Sequence, residues 1–222
     1  MAEEEKRKLP LPPHPADWDR PEPVIEVVPA GEILTRLVYT GGEHPGAWDL
    51  FRHFGPTSSR FDHHQLDDEF HSYTQDRGIM YLARGPRAFV TCIAECFQEQ
   101  RKIKRFVDAP AVATFETARA LELLDLRGVF STRMGASMAI HTGSRSIARE
   151  WSQLLYDCYP EVDGLLYGSS MHGGEDAIAL YERAHAAFPR HALNQKLLSD
   201  PLLKPALADA ARELGYKIAD DA

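Results

Sequence analysis

Three shortages in this sequence each exclude a class of protein. Only three cysteines occur among 222 residues, which is too few for a disulfide framework. Cys92 and Cys96 lie close together and Cys158 lies far away, so we expect reduced thiols and a cytoplasmic location. No apolar run is long enough to span a membrane, and the start MAEEEKRKLP has no hydrophobic signal region. We therefore expect neither secretion through a signal peptide nor membrane insertion.

Positive charge is also in short supply. The chain has 25 Lys and Arg residues against 33 Asp and Glu residues, so its formal net charge is −8. An acidic chain has no general attraction for phosphate backbones, and direct binding of nucleic acid is not expected. Hydrophobic residues make up 44% and charged residues 26%, which is typical of a globular protein that buries a core without structural metals.

The distribution of proline divides the chain into three parts. Residues 1–29 begin with a charge run and contain seven of the fifteen prolines, which predicts an extended or disordered arm. We interpret this arm as a passive tail or a surface strap rather than a docking peptide, and expect its deletion to change activity little. A catalytic domain is predicted over 30–188. The remaining residues, 189–222, are predicted to form a helical extension whose helix starts near Pro201 and ends at Gly215.

Short strands and amphipathic helices are mixed within the central part. Patterns of β-forming residues predict strands over 33–39, 79–83, 121–126, 164–167 and 177–181, with a long polar loop over 53–77. Helices are predicted after Pro86 and after Ser144. Because these elements show no regular βαβ alternation, the pattern predicts an α+β fold with mixed sheets and flanking helices.

In the helix predicted after Pro86, one apolar stripe contains Phe89, Cys92, Ile93, Cys96 and Phe97. Their spacing is that of a buried helix face. Glu95 lies away from this stripe. Its carboxylate is therefore either solvated or directed into a cleft beside the core.

The densest polar cluster lies at residues 62–71, which include three histidines, three aspartates and one glutamate. These residue types can bind divalent metals, but their spacing matches no closed metal motif. We favour a solvated acidic loop and expect no metal. The sequence also lacks a dinucleotide-binding glycine motif, a Walker loop and a Gly-x-Ser-x-Gly elbow.

The remaining polar residues of interest are scattered: Arg36, Arg60, Tyr81, Glu95 and Ser169. Taken singly, each has an ordinary structural explanation. Taken in order over 33–181, with their neighbours Thr35-Arg36-Leu37, Ser59-Arg60-Phe61, Ile79-Met80-Tyr81-Leu82-Ala83 and Gly164-Leu165-Leu166-Tyr167-Gly168-Ser169, they resemble the RES-domain family. The chain departs from the family at Ser58-Ser59, where a glycine pair is usual, and at Phe61, where tryptophan is usual.

This resemblance implies an ADP-ribosyltransferase-like fold and NAD as a substrate that is cleaved at the nicotinamide–ribose bond. Cleavage passes through an oxocarbenium-like state, which the Glu95 carboxylate could stabilise. Arg36 and Arg60 could bind the pyrophosphate, since guanidinium groups suit phosphate oxygens. Tyr81 could stack on nicotinamide, and the Ser169 hydroxyl could orient the glutamate or a ribose hydroxyl. The implied catalytic residues are thus Glu95, Ser169 and Arg36.

The leading functional hypothesis is an NAD glycohydrolase or phosphorylase that is the toxin of a toxin–antitoxin pair, with a separate cognate antitoxin protein. One alternative is an ADP-ribosyltransferase that modifies a macromolecular acceptor. Another is a non-enzymatic interaction module. The hydrolytic or phosphorolytic course of the reaction and any homo-oligomeric state stay open at this stage.

Overall fold

The structure is a computed structural model that describes residues 8–219. The strands are β1 Ile25–Val28, β2 Ile33–Tyr39, β3 Arg52–Gly55, β4 Tyr73–Arg84, β5 Lys102–Lys104, β6 Pro110–Glu116, β7 Leu121–Asp125, β8 Gly164–Gly168, β9 Asp176–Tyr181, β10 Asn194–Leu197 and β11 Lys217–Ala219. The α-helices are α1 Ala88–Cys96, α2 Phe130–Arg133, α3 Arg145–Cys158 and α4 Lys204–Leu214. Short 3₁₀ turns cover Pro15–Asp17, Met138–Ile140, Glu182–Ala187 and Pro201–Leu203.

One large mixed sheet organises the described part of the chain. It has nine strands in the order β1-β7-β8-β9-β4-β2-β6-β10, with β3 also paired to β4. β7 and β8 run parallel, whereas the other neighbours run antiparallel. β5 and β11 form a separate parallel pair. This mixed sheet with flanking helices confirms the α+β fold class that the sequence predicts.

The predicted polar loop over 53–77 is wrong at both ends. β3 begins at Arg52, and β4 begins at Tyr73, so the strand predicted over 79–83 is twelve residues long. Tyr73 and Thr74 pair with Gly55 and Phe54 across the hairpin. The outer half of β4 is therefore held by pairing with β3 rather than by burial, and its polar composition gives no strand signal.

Both terminal segments contribute strands to the large sheet. β1 lies inside the predicted arm and pairs with β7, while β10 lies inside the predicted helical extension and pairs with β6. The large sheet therefore extends across both boundaries that the sequence predicts, the one near residue 30 and the one near residue 189. The sequence did predict α4, which Gly215 terminates with a φ of 66°. The charge run at residues 3–7 lies outside the described residues.

Residues 8–24, here called the strap, run over α3. The Trp18 ring packs edge-on against Trp151 and Tyr159, with ring centroids 6.2 Å and 6.1 Å away. The Trp151 Nε1 donates a hydrogen bond to the Pro10 carbonyl at 2.8 Å, and the Tyr159 hydroxyl donates one to the Pro21 carbonyl at 2.6 Å. Proline has no N–H to donate, so these two prolines accept through their carbonyls, while the Trp18 indole donates to the Met134 carbonyl at 3.1 Å.

Helix α1 packs on β2 and β4 on one side and on α4 on the other. Ile93 and Phe97 are buried in the cluster between these elements, and Phe89 packs against it. Cys96 is the exception to the predicted buried stripe, because it is exposed at the end of the helix. This orientation leaves Glu95 half-buried beside an open cleft rather than in the core.

Candidate functional site

A cleft of about 450 Å³ opens beside α1. Its walls come from α1, from β2 and β4, and from the segments 58–60 and 98–108. The titratable residues that line it are Tyr39, Arg60, Tyr81, Cys92, Glu95, Cys96, Glu99, Lys102, Lys104, Asp108, Arg145 and Tyr167. Three of the five residues singled out from the sequence, Arg60, Tyr81 and Glu95, therefore share one cavity.

Ser169 and Glu95 are joined at the wall of this cleft. The Ser169 hydroxyl donates a hydrogen bond to Glu95 Oε1 at 2.5 Å. The Ser169 Oγ in turn accepts hydrogen bonds from the backbone N–H groups of Met171 at 3.2 Å and His172 at 3.1 Å. Because these amides occupy its lone pairs, the Ser169 proton is directed at the carboxylate. This arrangement orients Glu95 and disfavours Ser169 as a nucleophile.

The turn after β8 places Ser169 in this position. Gly173 and Gly174 have positive φ values of 57° and 81°, which reverse the chain between β8 and β9. The ring of His172 lies at the centre of this turn: its Nδ1 is 2.8 Å from Thr91 Oγ1 on α1, and its Nε2 is 2.7 Å from Glu213 on α4. Burial and the neighbouring Arg87 lower the pKa of His172. The turn is thereby tied to both helices.

Arg60 reaches the cleft from the loop after β3. Its Nη1 donates to the carbonyls of Gly143 at 2.7 Å and Ile140 at 3.3 Å. Burial is the main cause that lowers the pKa of Arg60, and the nearby guanidinium of Arg145 lowers it further, whereas Glu95 opposes this shift. Arg60 is therefore an electrostatic neighbour of both Glu95 and Arg145.

Two tyrosines complete the inner wall. The Tyr81 hydroxyl is buried near the Ser59 side chain, and burial raises its pKa. Tyr167 packs on the Phe61 ring with centroids 4.5 Å apart, and burial raises its pKa as well. Both side chains are neutral hydroxyls at physiological pH. Neutral hydroxyls in the wall of a cleft can donate a hydrogen bond to a polar ligand or accept one from it.

Arg36 is the predicted site residue that the structure does not bring to the cleft. Leu37 and Tyr39 line the cleft, and alternate residues of a strand point to opposite faces, so Arg36 points to the other face of β2. There its Nη1 donates to three carbonyls at 2.7–2.9 Å, those of Ala47, Trp48 and Leu50. Burial lowers the pKa of Arg36 to about 10. The structure thus places Arg36 outside the lining of the cleft, in contacts that suit a structural role better than the predicted catalytic and phosphate-binding one.

Sequence reasoning missed three cations of the cleft. Arg145 is the first residue of α3, and its Nη2 donates to Gln98 at 2.5 Å while its Nη1 lies 3.8 Å from Glu99. Lys102 and Lys104 come from β5. The only sequence signal is the alternation of Lys102-Ile103-Lys104, which places both lysines on one face. With Arg60, the cleft lining contains four cations beside three carboxylates, those of Glu95, Glu99 and Asp108.

The two cysteines beside Glu95 are poor nucleophiles. The Cys92 thiol is buried and donates to the Thr35 carbonyl at 3.3 Å, and burial raises its pKa. Cys96 is exposed as a whole residue, but its sulfur is desolvated where it lines the cleft, and this desolvation, followed by the charge of Glu95, raises the pKa of the thiol to about 12. Since the thiolate is the reactive form, thiol catalysis is disfavoured here.

The predicted solvated loop at 62–71 is wrong in its first half. Asp62, His63 and His64 are all fully buried, whereas Glu69 and His71 are exposed. His64 Nδ1 lies 2.5 Å from Asp62 Oδ1, and Arg52 and Thr57 also bind this carboxylate. His63 stacks on Tyr156 with centroids 4.2 Å apart. Tertiary packing of the imidazole rings and pairing of Asp62 with Arg52 explain a burial that the polar composition does not suggest.

Within residues 8–219, no group of three or more His, Cys, Asp or Glu side chains is arranged to bind a metal ion. In the same part of the chain, no helix is both long and apolar enough to cross a membrane.

Comparison with known proteins gives one structural similarity. No family model matches the sequence, and no curated protein matches it. The fold is similar to a chain in the crystal structure of the M. tuberculosis MbcT–MbcA toxin–antitoxin complex, with a TM-score of 0.50 and 16% sequence identity. The similarity covers 84% of this chain and 91% of that chain. At this identity the similarity concerns the fold, and the function must be argued from the site.

Proposed function

We propose that this protein cleaves the nicotinamide–ribose bond of NAD. The observation that supports this most directly is the 2.5 Å hydrogen bond from Ser169 to Glu95, at the wall of a cleft that also contains Arg60. It places an oriented carboxylate and a phosphate-binding cation in one cavity. Four of the five residues that carry the resemblance to the RES-domain family lie in or beside this cleft; Arg36 is the exception. That resemblance supports the choice of NAD over other anionic substrates.

In the proposed reaction, the bond between ribose C1′ and the nicotinamide nitrogen breaks, and its electron pair leaves with nicotinamide. Positive charge develops on the ribose, and the Glu95 carboxylate stabilises it electrostatically. Ser169 engages Oε1, so the second carboxylate oxygen can face the ribose. The oxygen of water, which releases a proton to the solvent, or an oxygen of inorganic phosphate then forms the new bond at C1′. Tyr81 offers its ring to nicotinamide and its hydroxyl to a polar group of the substrate.

The pyrophosphate of NAD is assigned to the cationic side of the cleft. Arg60 supplies a guanidinium near Glu95, and Arg145, Lys102 and Lys104 supply further positive charge. These residues take the phosphate-binding role that the sequence analysis gave in part to Arg36. Phosphate contacts of this kind are charge-assisted and strengthen in a cavity that excludes water.

The cellular role we propose is that of a cytoplasmic toxin that depletes NAD and is inhibited by a separate antitoxin protein covering the cleft. The structural neighbour is part of a toxin–antitoxin complex, which supports a toxin with a cognate partner. An unregulated NAD-cleaving enzyme would harm its own cell, so an inhibitor is needed. We propose no direct contact with nucleic acid, in keeping with the net charge of −8.

The test is incubation of the purified protein with NAD, with and without inorganic phosphate, followed by chromatography of the products. Nicotinamide and ADP-ribose would indicate hydrolysis, whereas a phosphorylated ADP-ribose formed only with phosphate would indicate phosphorolysis. Label from NAD on a macromolecule would instead favour an ADP-ribosyltransferase. Intact NAD after prolonged incubation with folded protein would contradict the proposal.

A further inference from the structure

The strap begins directly over the turn that holds Arg60. Leu9 is only 4% exposed and belongs to the same buried cluster as Ile140. The Ser137 hydroxyl donates to the Lys8 carbonyl at 2.6 Å and accepts from the backbone N–H of Ala139 at 3.1 Å. One hydroxyl thus joins the start of the strap to the 3₁₀ turn Met138–Ile140.

The far end of this turn faces the strap. A Cβ added at Gly143 would come within 3.6 Å of the Leu9 Cβ, so this glycine lies opposite Leu9 with space for about one carbon atom between them. Inside the turn, the Ile140 amide bonds to Ser137 and the Gly143 amide bonds to Ala139. The segment 137–143, here called the Arg60 seat, is therefore a compact unit packed beneath Leu9.

The outward carbonyls of this unit hold the cleft arginine. Ile140 and Gly143 supply both acceptors that bind Arg60 Nη1. An arginine side chain has several rotatable bonds, so the position of its guanidinium group is fixed only where the hydrogen-bond acceptors are fixed. Movement of the seat would therefore displace Arg60 from its place near Glu95 without breaking the sheet or α1.

We infer that the N-terminal strap positions Arg60 for substrate binding, with Leu9 acting through the seat at 137–143. Leu9 is a positioning residue that does not itself line the cleft. The inference rests on the proposed function, because it assigns Arg60 to the anionic substrate. It replaces the expectation that the N-terminal arm is passive.

The test compares Leu9→Ala with Leu11→Ala, two leucines of the same strap that differ in burial, 4% against 52% exposed. We expect Leu9→Ala to raise KM for NAD about tenfold, the size of one charge-assisted hydrogen bond, with kcat changed less than about twofold. Leu11→Ala should match the wild type in both parameters. An unchanged KM in Leu9→Ala would overturn the inference.

Two further measurements separate positioning from general loss of stability. Tyr159→Phe removes the hydrogen bond to Pro21 and loosens the strap away from the seat, so its KM should stay unchanged. In an Arg60→Ala background, Leu9→Ala should raise KM no further, since both changes act on one interaction. A similar rise in KM in Tyr159→Phe, or an additive effect in the double variant, would contradict positioning through Arg60.

Hydrogen exchange gives a readout that does not depend on NAD cleavage. The amides of residues 140–143 should exchange at least about tenfold faster in Leu9→Ala, and at the wild-type rate in Leu11→Ala. Unchanged exchange would overturn the inference by itself. If the wild-type protein releases no nicotinamide, the proposed function fails, whereas the link between strap and seat is still decided by this exchange.

Discussion

Arg36 and Arg60 have the same side chain in two different environments. Arg36 is buried on one face of β2 and donates to three loop carbonyls, while Arg60 lies in the cleft near Glu95. The residue type alone cannot distinguish these two roles in a sequence. The distinction depends on which face of the strand meets the cleft.

Replacement of each arginine by methionine should therefore have a different effect, a loss of stability at Arg36 and a loss of NAD binding at Arg60. Arg36→Met leaves three acceptors without their donor, so we expect the free energy of unfolding to fall by about 3 kcal/mol or more. Arg60→Met should cost about 1 kcal/mol in stability but raise KM for NAD at least about tenfold. Urea unfolding and steady-state kinetics measure both effects. A stable Arg36→Met protein with impaired NAD binding would return Arg36 to the site.

Glu95→Gln tests the proposed chemistry, because the amide keeps the shape of the side chain and removes the charge. We expect a similar melting temperature and a loss of kcat by a factor on the order of a hundred or more. Glu99 is exposed but lies on the rim beside Arg145, so Glu150 on the exposed face of α3 is the better control. Glu150→Gln should behave as the wild type. Equal kcat in wild type and Glu95→Gln would remove the proposed mechanism.

The buried His63 makes the free energy of unfolding depend on pH. Burial, with help from the nearby His64 and Arg77, lowers the pKa of His63 to about 2, against an ordinary value of 6.5. Below pH 6.5 the unfolded chain binds a proton at this residue and the folded chain does not. The free energy of unfolding should therefore decrease by about 1.4 kcal/mol per pH unit as the pH falls from 6 towards 4.

His63→Phe preserves an aromatic ring for stacking and removes this titration. As the pH falls from 6 towards 4, its free energy of unfolding should decline less steeply than that of the wild type, by about 1.4 kcal/mol per pH unit. Other buried groups such as Asp62 still titrate, so the difference between the two curves is the relevant quantity. His71→Phe, at an exposed histidine, should retain the wild-type slope. Identical slopes in wild type and His63→Phe would refute this account.

At the scale of elements, the strap belongs to the folded core. Leu9 is buried, and Trp18 packs on two aromatic rings of α3 and its end. Deletion of residues 1–24 should therefore lower the free energy of unfolding by about 3 kcal/mol or more, since it exposes a large apolar surface. Chemical denaturation measures this loss. Wild-type stability after deletion would restore the original interpretation of a passive arm.

Strand prediction succeeded where strands are buried and failed at the sheet's polar margins. β2, β8 and β9 are apolar enough to be recognised from their residues. β10 is an exposed polar strand, and β1 lies in a proline-rich segment. Each exists because it pairs with a partner distant in the chain, β6 for β10 and β7 for β1. Local propensity contains no information about such partners.

At the scale of the whole molecule, the proposed toxin role predicts an effect on growing cells. Expression without a partner protein should arrest growth and lower cellular NAD. Expression of Glu95→Gln at the same level should do neither, because it retains the fold and loses the charge. Extracted NAD can be measured beside growth curves. Normal growth and unchanged NAD with abundant folded wild-type protein would contradict the role.

Composition and residue order were sufficient for the α+β class, for several buried strands and helices, and for Glu95 and Ser169 as candidates that prove to be hydrogen-bonded. The fold class, strands and helices follow from local periodicity, whereas Glu95 and Ser169 were indicated by the resemblance to the RES-domain family. The tertiary structure alone decided that Arg36 turns away from the cleft and that Arg145, Lys102 and Lys104 line it. It also decided that the strap supports the Arg60 seat. Such relations join residues far apart in the chain, and the physical reason is that pairing and packing between distant segments leave no periodic mark in the sequence.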